Sequence, residues 1–430
     1  MNFSEAESYL YSLGNEVTAM KLGLDAMRVL LAELRSPQNK YLKVQVAGTN
    51  GKGSVCAFLD SICNTAGIKT GTFTSPHLVS ITERVRVNGV DISEDEFARC
   101  ASVVRGASER LVESGKLESI PTFFEQVTGT ALLAFADTGV EVGILETGLG
   151  GRLDATTAAN AEIAVITRID LDHQQYLGET LAEIAAEKAA IIHDGSRVAI
   201  GGQPAAALKV LLGRCDALRI FPVIVTTGGG NISGSECAQL SDVQRRAPSL
   251  PLGFPPLRLG LRGGHQVENA TAAVAAVNLL RESFSISDAD ITKGLESARH
   301  AGRLEYVGRY LFDGAHNVGG ARALAEYLAE FETRPITLVF GAMEDKDVGE
   351  IADIMFPFAE HIVLTRPDNS RAMSVDEMAA FVPAGVDAVR TTNVPDAIEV
   401  AERADGEDGL ILVTGSLYLV GEVKKLLKQI

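Results

Sequence analysis

Cysteine is scarce and unpatterned in this chain of 430 residues: five occur, at 56, 63, 100, 215 and 237, with no C-x-x-C among them. An odd number so spaced excludes both a disulfide framework and a zinc module, and a reducing cytoplasm is the simplest compartment for it. No uninterrupted apolar run approaches the ~20 residues that a membrane helix needs. The opening MNFSEAESYLYSL carries acids and no basic region ahead of an apolar run, so a signal peptide is not expected. Positive charge is short as well: 39 Lys and Arg face 56 Asp and Glu, a formal net charge of −17. A general nucleic-acid binder needs the opposite balance. A local basic pocket for a small anion is still compatible with it. Internal repeats of solenoid period and long low-complexity runs are absent.

What is present is core-forming. Hydrophobic residues make up 46% and charged residues 22% of the chain, and the length favours two or three domains. Short apolar runs rich in valine and isoleucine alternate with longer helical patterns. LKVQVA (42–47) and KTGTFTS (69–75) read as strands, and a helix is expected from about Ser54 to Ala66. ITERVRVNG (81–89) alternates as a strand does and ends on the turn signal Asn88-Gly89. Ser93 with Glu96 three residues on predicts a helix start, and 122–139 an apolar helix closing at glycine. VEVGILE (140–146) and AEIAVIT (161–167) suit strands buried on both faces of a parallel sheet. Helices follow at 180–192 and 263–282, with short strands and loops over 223–260. After about residue 298 the alternation restarts: strands at 304–312, 336–340, 361–365 and 410–414, helices at 318–331, 375–381, 395–404 and 417–428. Such strand–helix units predict an α/β fold with a mostly parallel sheet, in two domains, 1–297 and 298–430.

The most informative stretch is VQVAGTNGKGSVCAF (44–58). It resembles a phosphate loop of the form G-x-x-x-x-G-K-[ST], yet Val46 stands at the first glycine and Gly53 follows Lys52, with the hydroxyl delayed to Ser54. The setting is right: a strand before, a helix after, glycines that let backbone N–H groups face an anion, and a helix N-terminus. A plain glycine turn joining strand to helix would also fit.

The wording GTNGKGS, with its flanks, decides between them. KLGLDAMRVLLAELRSPQNKYLKVQVAGTNGKGS, TSPHL, ITERVRVNG, TFFEQVT, LETGLGGRLDATTAAN, DLDHQQYLGETLAEIAAEKAAII, GRLE, DGAHN, GAMEDKD and TGSLYLVGEV follow one another along nearly the whole chain. Together they resemble the folate branch of the Mur ligase superfamily. The resemblance implies an N-terminal ATP-binding P-loop domain with a mostly parallel central sheet and a smaller Rossmann-like C-terminal domain. It also implies the reaction: a substrate carboxylate takes the γ-phosphate of ATP, and the amine of L-glutamate displaces phosphate from the acyl phosphate.

Site residues follow from the same resemblance. The ATP loop is Thr49, Asn50, Gly51, Lys52, Gly53 and Ser54. Asn269 of HQVEN, Arg303 of HAGRLE and Asp313 of DGAHN are implied nucleotide contacts, with Ala301 and Val318 where the family carries prolines. The nucleotide would then lie between the two domains. Ser75, Glu146 and His173 are the implied Mg²⁺ ligands, for two metal sites; each sits at a predicted strand end, where open parallel sheets bind ligands. Glu146 closes an apolar strand, a costly place for an unpaired carboxylate. Lys188 matches the family's carbamylated lysine, the alternative being a surface lysine paired with Glu183 or Glu187. His316 would orient the transferring group.

For the pteridine-bearing substrate, folate or dihydropteroate, the implied pocket is Lys21, Leu22, Gly23, Thr122, Phe123, Phe124, Glu125, Leu153, Asp154 and Ala155. Phe123 and Phe124 read equally as helix core. Lys21 stands where some bifunctional members carry an acid, which favours folate polyglutamylation over dihydrofolate synthesis; both are carried forward. The family is commonly monomeric, and the cysteine usage already predicts a cytoplasmic protein. A cell-wall Mur ligase is disfavoured because too few residues precede the first strand for its uridine-nucleotide domain. A P-loop kinase has no place for DGAHN or TGSLYL. A catalytically silent binding protein is disfavoured because Lys52, Glu146, His173 and Lys188 are all present.

Overall fold

The computed structural model describes residues 1–14, 23–225, 258–404 and 409–428. Two compact units result. The first comprises Met1–Ser75, Ile81–Gly260 and Glu268–Ala298; the second comprises Pro76–Ser80, Leu261–Val267 and Arg299–Ile430. That two short segments, 76–80 and 261–267, belong with the second unit is not visible from chain order. Lys21, Leu22 and Cys237 lie outside the described residues.

The first unit is built on eight strands: β1 (Leu42–Ala47), β2 (Thr70–Phe73), β3 (Val85–Val87), β4 (Val90–Asp91), β5 (Val142–Glu146), β6 (Ile163–Ile166), β7 (Arg197–Ile200) and β8 (Val223–Ile224). Their order is β4-β3-β2-β5-β1-β6-β7-β8. All pairs from β2 to β8 are parallel, and β3 and β4 add antiparallel at one edge. Every residue of β5 and β6 is buried, as apolar runs without alternation require when helices cover both faces. One apolar cluster gathers Phe97, Val104 and Phe135 from the helices Glu94–Glu113 and Phe123–Thr138. Another gathers Ile184 and Leu211 from Leu181–Ala189 and Ala205–Ala217 with Ile166 of β6. Central β1 has β5 on one side and β6 on the other, so their carboxyl ends form a topological switch point, where such sheets bind ligands.

The turn at Asn88 and Gly89 has φ of 52° and 73°, the left-handed pair that a two-residue hairpin turn demands. The strand read over 81–89 is corrected in its first half: Ile81–Arg84 is a 3₁₀ turn. The cause is its partner's length, since β2 offers ladder positions only to Val85, Arg86 and Val87.

The second unit holds β9 (Glu305–Val307), β10 (Tyr310–Phe312), β11 (Ile336–Phe340), β12 (His361–Leu364), β13 (Ala388–Arg390) and β14 (Leu410–Thr414), ordered β13-β12-β11-β14-β10-β9. The single strand expected over 304–312 is a hairpin: β9 and β10 pair antiparallel, with Gly308 turning at φ 57°. The other strands are parallel. Thus both units are α/β, with a large parallel-rich sheet and a smaller second one.

The helix Lys52–Thr65 that follows the glycine loop is held from behind by Asp288–Ser297. Contact is through Gly294, where an added Cβ would stand 2.5 Å from Ile62 Cα and 2.8 Å from Ile62 N. Backbone cannot yield as a side-chain tip does. Gly294→Ala is therefore expected to lose about 1–3 kcal/mol in urea unfolding. Gly213→Ala, in a helix interior with nothing within 4 Å of the new methyl, is expected to gain about 0.5–1 kcal/mol.

Candidate active site

The glycine loop leaves the carboxyl end of β1 and is fastened to the segment after β6. Thr49 and Asn50 donate their amides to Arg168 O at 2.9 and 3.2 Å. Thr49 Oγ1 donates to Asp170 O at 3.0 Å, and Asn50 Nδ2 to Asp170 Oδ2 at 3.1 Å. These two residues therefore shape the loop, and the helix beginning at Lys52 starts where it ends, an N-terminus that favours an anion. Val46, in place of a glycine, is simply a buried residue of β1; the loop is shorter and begins at Gly48. There the backbone comes so close to Thr167 that a Cβ would meet its Oγ1 at 1.8 Å. At Gly51, φ is 88° and a Cβ would fall 2.1 Å from Asn269 Oδ1, which places the buried Asn269 side chain directly against the loop.

Two lysines meet at this point. Lys52 Nζ donates to Gly48 O and Thr49 O, both at 3.1 Å. Lys188 Nζ donates to the same Gly48 O at 2.8 Å. Lys188 is only 4% exposed, so the surface-lysine alternative fails; Glu187 pairs with Arg152 and Glu183 caps its own helix. Burial first, and the Lys52 charge second, pull the Lys188 pKa from an ordinary 10.5 down to about 7, against Asp172, Asp154 and Glu187.

Glu146, at the end of β5, is 6% exposed and accepts the Ser75 amide at 3.2 Å. That bond brings two of the expected metal ligands together and leaves Ser75 to act through its hydroxyl. His173 takes a left-handed backbone, φ 50°, and its Nε2 is 3.9 Å from Asp172 Oδ1. Among the described residues no three His, Cys, Asp or Glu side chains form a ready cation cage. The donor set fits Mg²⁺ nonetheless: a buried carboxylate and a hydroxyl are hard oxygen ligands, and Mg²⁺ takes few of them and keeps water and phosphate oxygens.

The expected folate residues divide. Thr122 and Glu125 form a capping box on the helix Phe123–Thr138. Phe123 is core, stacked on Tyr11, and the Arg84 guanidinium lies over its ring, 5.3 Å from the centroid. Phe124 is half-buried, packs on Phe73 and faces Gly148, where a Cβ would meet its ring at 2.7 Å. Asp154 is buried; its carboxylate accepts the amides of Gly148, Leu149 and Thr156 at 2.9, 3.0 and 3.0 Å. It shapes the loop after β5 between half-buried Leu153 and buried Ala155, while burial pushes its pKa up against those donors. Gly23 opens the described chain after the undescribed Lys21 and Leu22.

In the second unit Asp313 is buried and accepts the amides of Leu304 and Ala315, both at 2.9 Å. Burial raises its pKa, and Arg303 acts in the opposite sense. His316 Nδ1 donates to Gly314 O at 2.7 Å, so any chemistry from this ring goes through Nε2. His265 carries no motif of its own in the sequence. Burial and then Arg303 lower its pKa to about 4, and its only sequence signal is its place in HQVEN.

Residues 46–277 match the Mur ligase middle domain and residues 302–417 the Mur ligase glutamate ligase domain. The chain belongs to the Mur ligase family. Within it, the chain belongs with the folylpolyglutamate and dihydrofolate synthases, ATP-dependent ligases that form C–N bonds. It is 34% identical to the dihydrofolate synthase/folylpolyglutamate synthase of Bacillus subtilis, with 99% of each chain covered. It is 35% identical to a probable bifunctional folylpolyglutamate synthase/dihydropteroate synthase of Halobacterium salinarum, covering 99% of this chain but only 51% of that one. Among solved structures, Mycobacterium tuberculosis folylpolyglutamate synthase complexed with ADP and AMPPCP superposes with a TM-score of 0.85 at 29% identity, covering 99% of this chain and 98% of that one. The bifunctional Yersinia pestis enzyme complexed with AMPPNP and a Mn ion gives 0.80 at 26%, covering 100% and 98%. No helix among the described residues is long and apolar enough to cross a membrane.

The lysine pair has a pH signature. Between about 7 and 10.5 the folded Lys188 amine holds fewer protons than the unfolded chain does. Its contribution to unfolding free energy therefore rises with pH across that window. Denaturation of the ligand-free protein should show this rise, and Lys188→Met should flatten it.

Proposed function

We propose that this protein joins L-glutamate to folates, extending tetrahydrofolate polyglutamates, and also joins it to dihydropteroate to make dihydrofolate. The observation that carries the reading is the convergence of Lys52 and Lys188 on Gly48 O beside the Glu146–Ser75 pair. It is a cationic pocket with a hard-oxygen corner, at the switch point of a parallel sheet. The names of the relatives, and the nucleotides and Mn ion bound in the solved structures, support it.

In this reading Lys52 and the first-turn amides of Gly53 and Ser54 hold the β- and γ-phosphates. Asn269 fixes the loop and the nucleotide, and Arg303 and Asp313 are further nucleotide contacts. Mg²⁺ held through Glu146, Ser75 and His173 would offset phosphate charge. The folate carboxylate attacks the γ-phosphorus, ADP leaves, and the glutamate amine then attacks the acyl carbonyl as phosphate leaves. His316 orients the transferring group. Phe124 offers the flat apolar surface for the pteridine, on a floor shaped by Asp154. Lys188, whose amine burial and Lys52 push toward the neutral form, adds carbon dioxide and loses a proton to become a carbamate, an anionic oxygen ligand that also removes the like-charge conflict with Lys52. The protein acts in the cytoplasm as a monomer.

Phosphate release from ATP is expected to require glutamate together with either tetrahydrofolate or dihydropteroate. Release without glutamate would indicate a kinase or ATPase instead. Lys52→Met should lower kcat/KM by roughly 10²–10³-fold with the fold intact. With ¹³C-bicarbonate, a carbamate carbon resonance should appear in the protein and vanish in Lys188→Met.

A further inference from the structure

A second basic site lies in the first unit, away from the glycine loop. A cavity of about 470 Å³ is lined by Arg28, Arg152, Arg214, His193, Thr157 and Asn160, together with small apolar residues. Among the described residues no acidic side chain lines it, in a chain whose net charge is −17. Its size falls within the range that small-molecule sites occupy.

Its position separates it from the ATP loop. His193 Nε2 meets Ala161 O at 2.8 Å, just before β6 begins, whereas the glycine loop is bonded to Arg168, just after β6 ends. Seven residues of extended chain span roughly 20 Å, so the two sites sit at opposite ends of this strand. The arginines come from three separate helices and loops. Arg214 is anchored by Nε and one Nη on Ile192 O at 3.0 and 2.8 Å, and its charge has no carboxylate partner among the described residues. Arg28 and Arg152 make single contacts to Asp25 at 3.4 Å and Glu187 at 2.9 Å, with side chains 63% and 57% exposed. Exposed pairs of this kind are weak, and each guanidinium has five donors, so both can turn to a stronger acceptor. Asn160, held at φ 56°, and Thr157 add neutral polar groups. The backbone carbonyls of Asp194 and Ala161 fix the imidazole of His193.

We infer that this cavity binds a compact small-molecule polyanion, with two or more phosphate or carboxylate groups, through the forks of Arg28, Arg152 and Arg214. Planar guanidinium groups recognise both oxyanions in the same bidentate way. The cavity lies at the far end of β6 from the glycine loop, but Leu24 and Arg152 adjoin Gly23 and Leu153, so it borders the segments read as the folate pocket.

The test is calorimetric titration of the full chain saturated with ADP, so that the nucleotide site is filled. One arm uses 2,3-bisphosphoglycerate and the other propane-1,2,3-tricarboxylate. Saturable one-to-one binding in either arm is expected, and the arm that saturates identifies the phosphate or the carboxylate source. Arg28→Gln, on the exposed face, should weaken binding roughly tenfold, and Arg214→Lys, which keeps the charge but loses the fork, by a similar factor. Arg28→Gln should leave the melting temperature without ligand unchanged, whereas Arg214→Lys also loses the two bonds to Ile192 O and lowers it. No saturation by about 1 mM in both arms, or unchanged affinity in Arg28→Gln, would overturn the inference.

Discussion

One carbonyl oxygen organises the candidate active site. Gly48 O accepts from the amines of both Lys52 and Lys188, so two potential cations are held within a few ångströms of each other, one of them fully buried. Like charges at that spacing are costly when little water screens them. The conflict has two resolutions, and both bear on chemistry. Lys188 can give up its proton, the direction in which burial and Lys52 already push it, or anions can enter beside the pair. A triphosphate and a carbamate are each an answer to the same electrostatic problem.

The rest of the first unit explains how that problem is kept in place. Central β1 carries the loop, β5 ends on Glu146, and β6 continues into the segment whose carbonyl at Arg168 and side chain at Asp170 tie down Thr49 and Asn50. Thr167 and Asn269 press against Gly48 and Gly51 so closely that neither glycine can carry a side chain. The helix from Lys52 is braced from behind at Gly294. The loop is thus clamped on several sides, which is what a preorganised anion site requires.

Much of this was legible in the residues, and the misses have physical causes. Continuous apolar runs gave β5 and β6 because a strand buried on both faces has no polar side to show. Over 81–89 the residue types alternate as in a strand, yet the first four residues bury Ile81, Thr82 and Arg84 in a 3₁₀ turn, a pattern that alternation of residue type does not reveal. The hairpin at 304–312 was read as one strand because its turn rests on Gly308 alone, without the Asn-Gly pair that marked 88–89. Edge strand Ala388–Arg390 is short and largely exposed, so it carried no apolar signal. In the site, Lys52, Glu146 and Lys188 could be picked out by motif, but motif could not say that Thr122, Glu125 and Asp154 spend their hydrogen bonds on backbone. Nor could it reveal the arginine cavity, whose lining is contributed by residues from 24 to 214 with no common motif.

The most direct test of the central claim is a crystal structure of the protein with a non-hydrolysable ATP analogue and Mn²⁺, with anomalous differences recorded for the metal. The account predicts β- and γ-phosphates against Lys52 Nζ and the first turn of the Lys52–Thr65 helix, and an anomalous peak bonded to the Glu146 carboxylate. Phosphates bound away from Gly48, or manganese with no contact to Glu146, would contradict it.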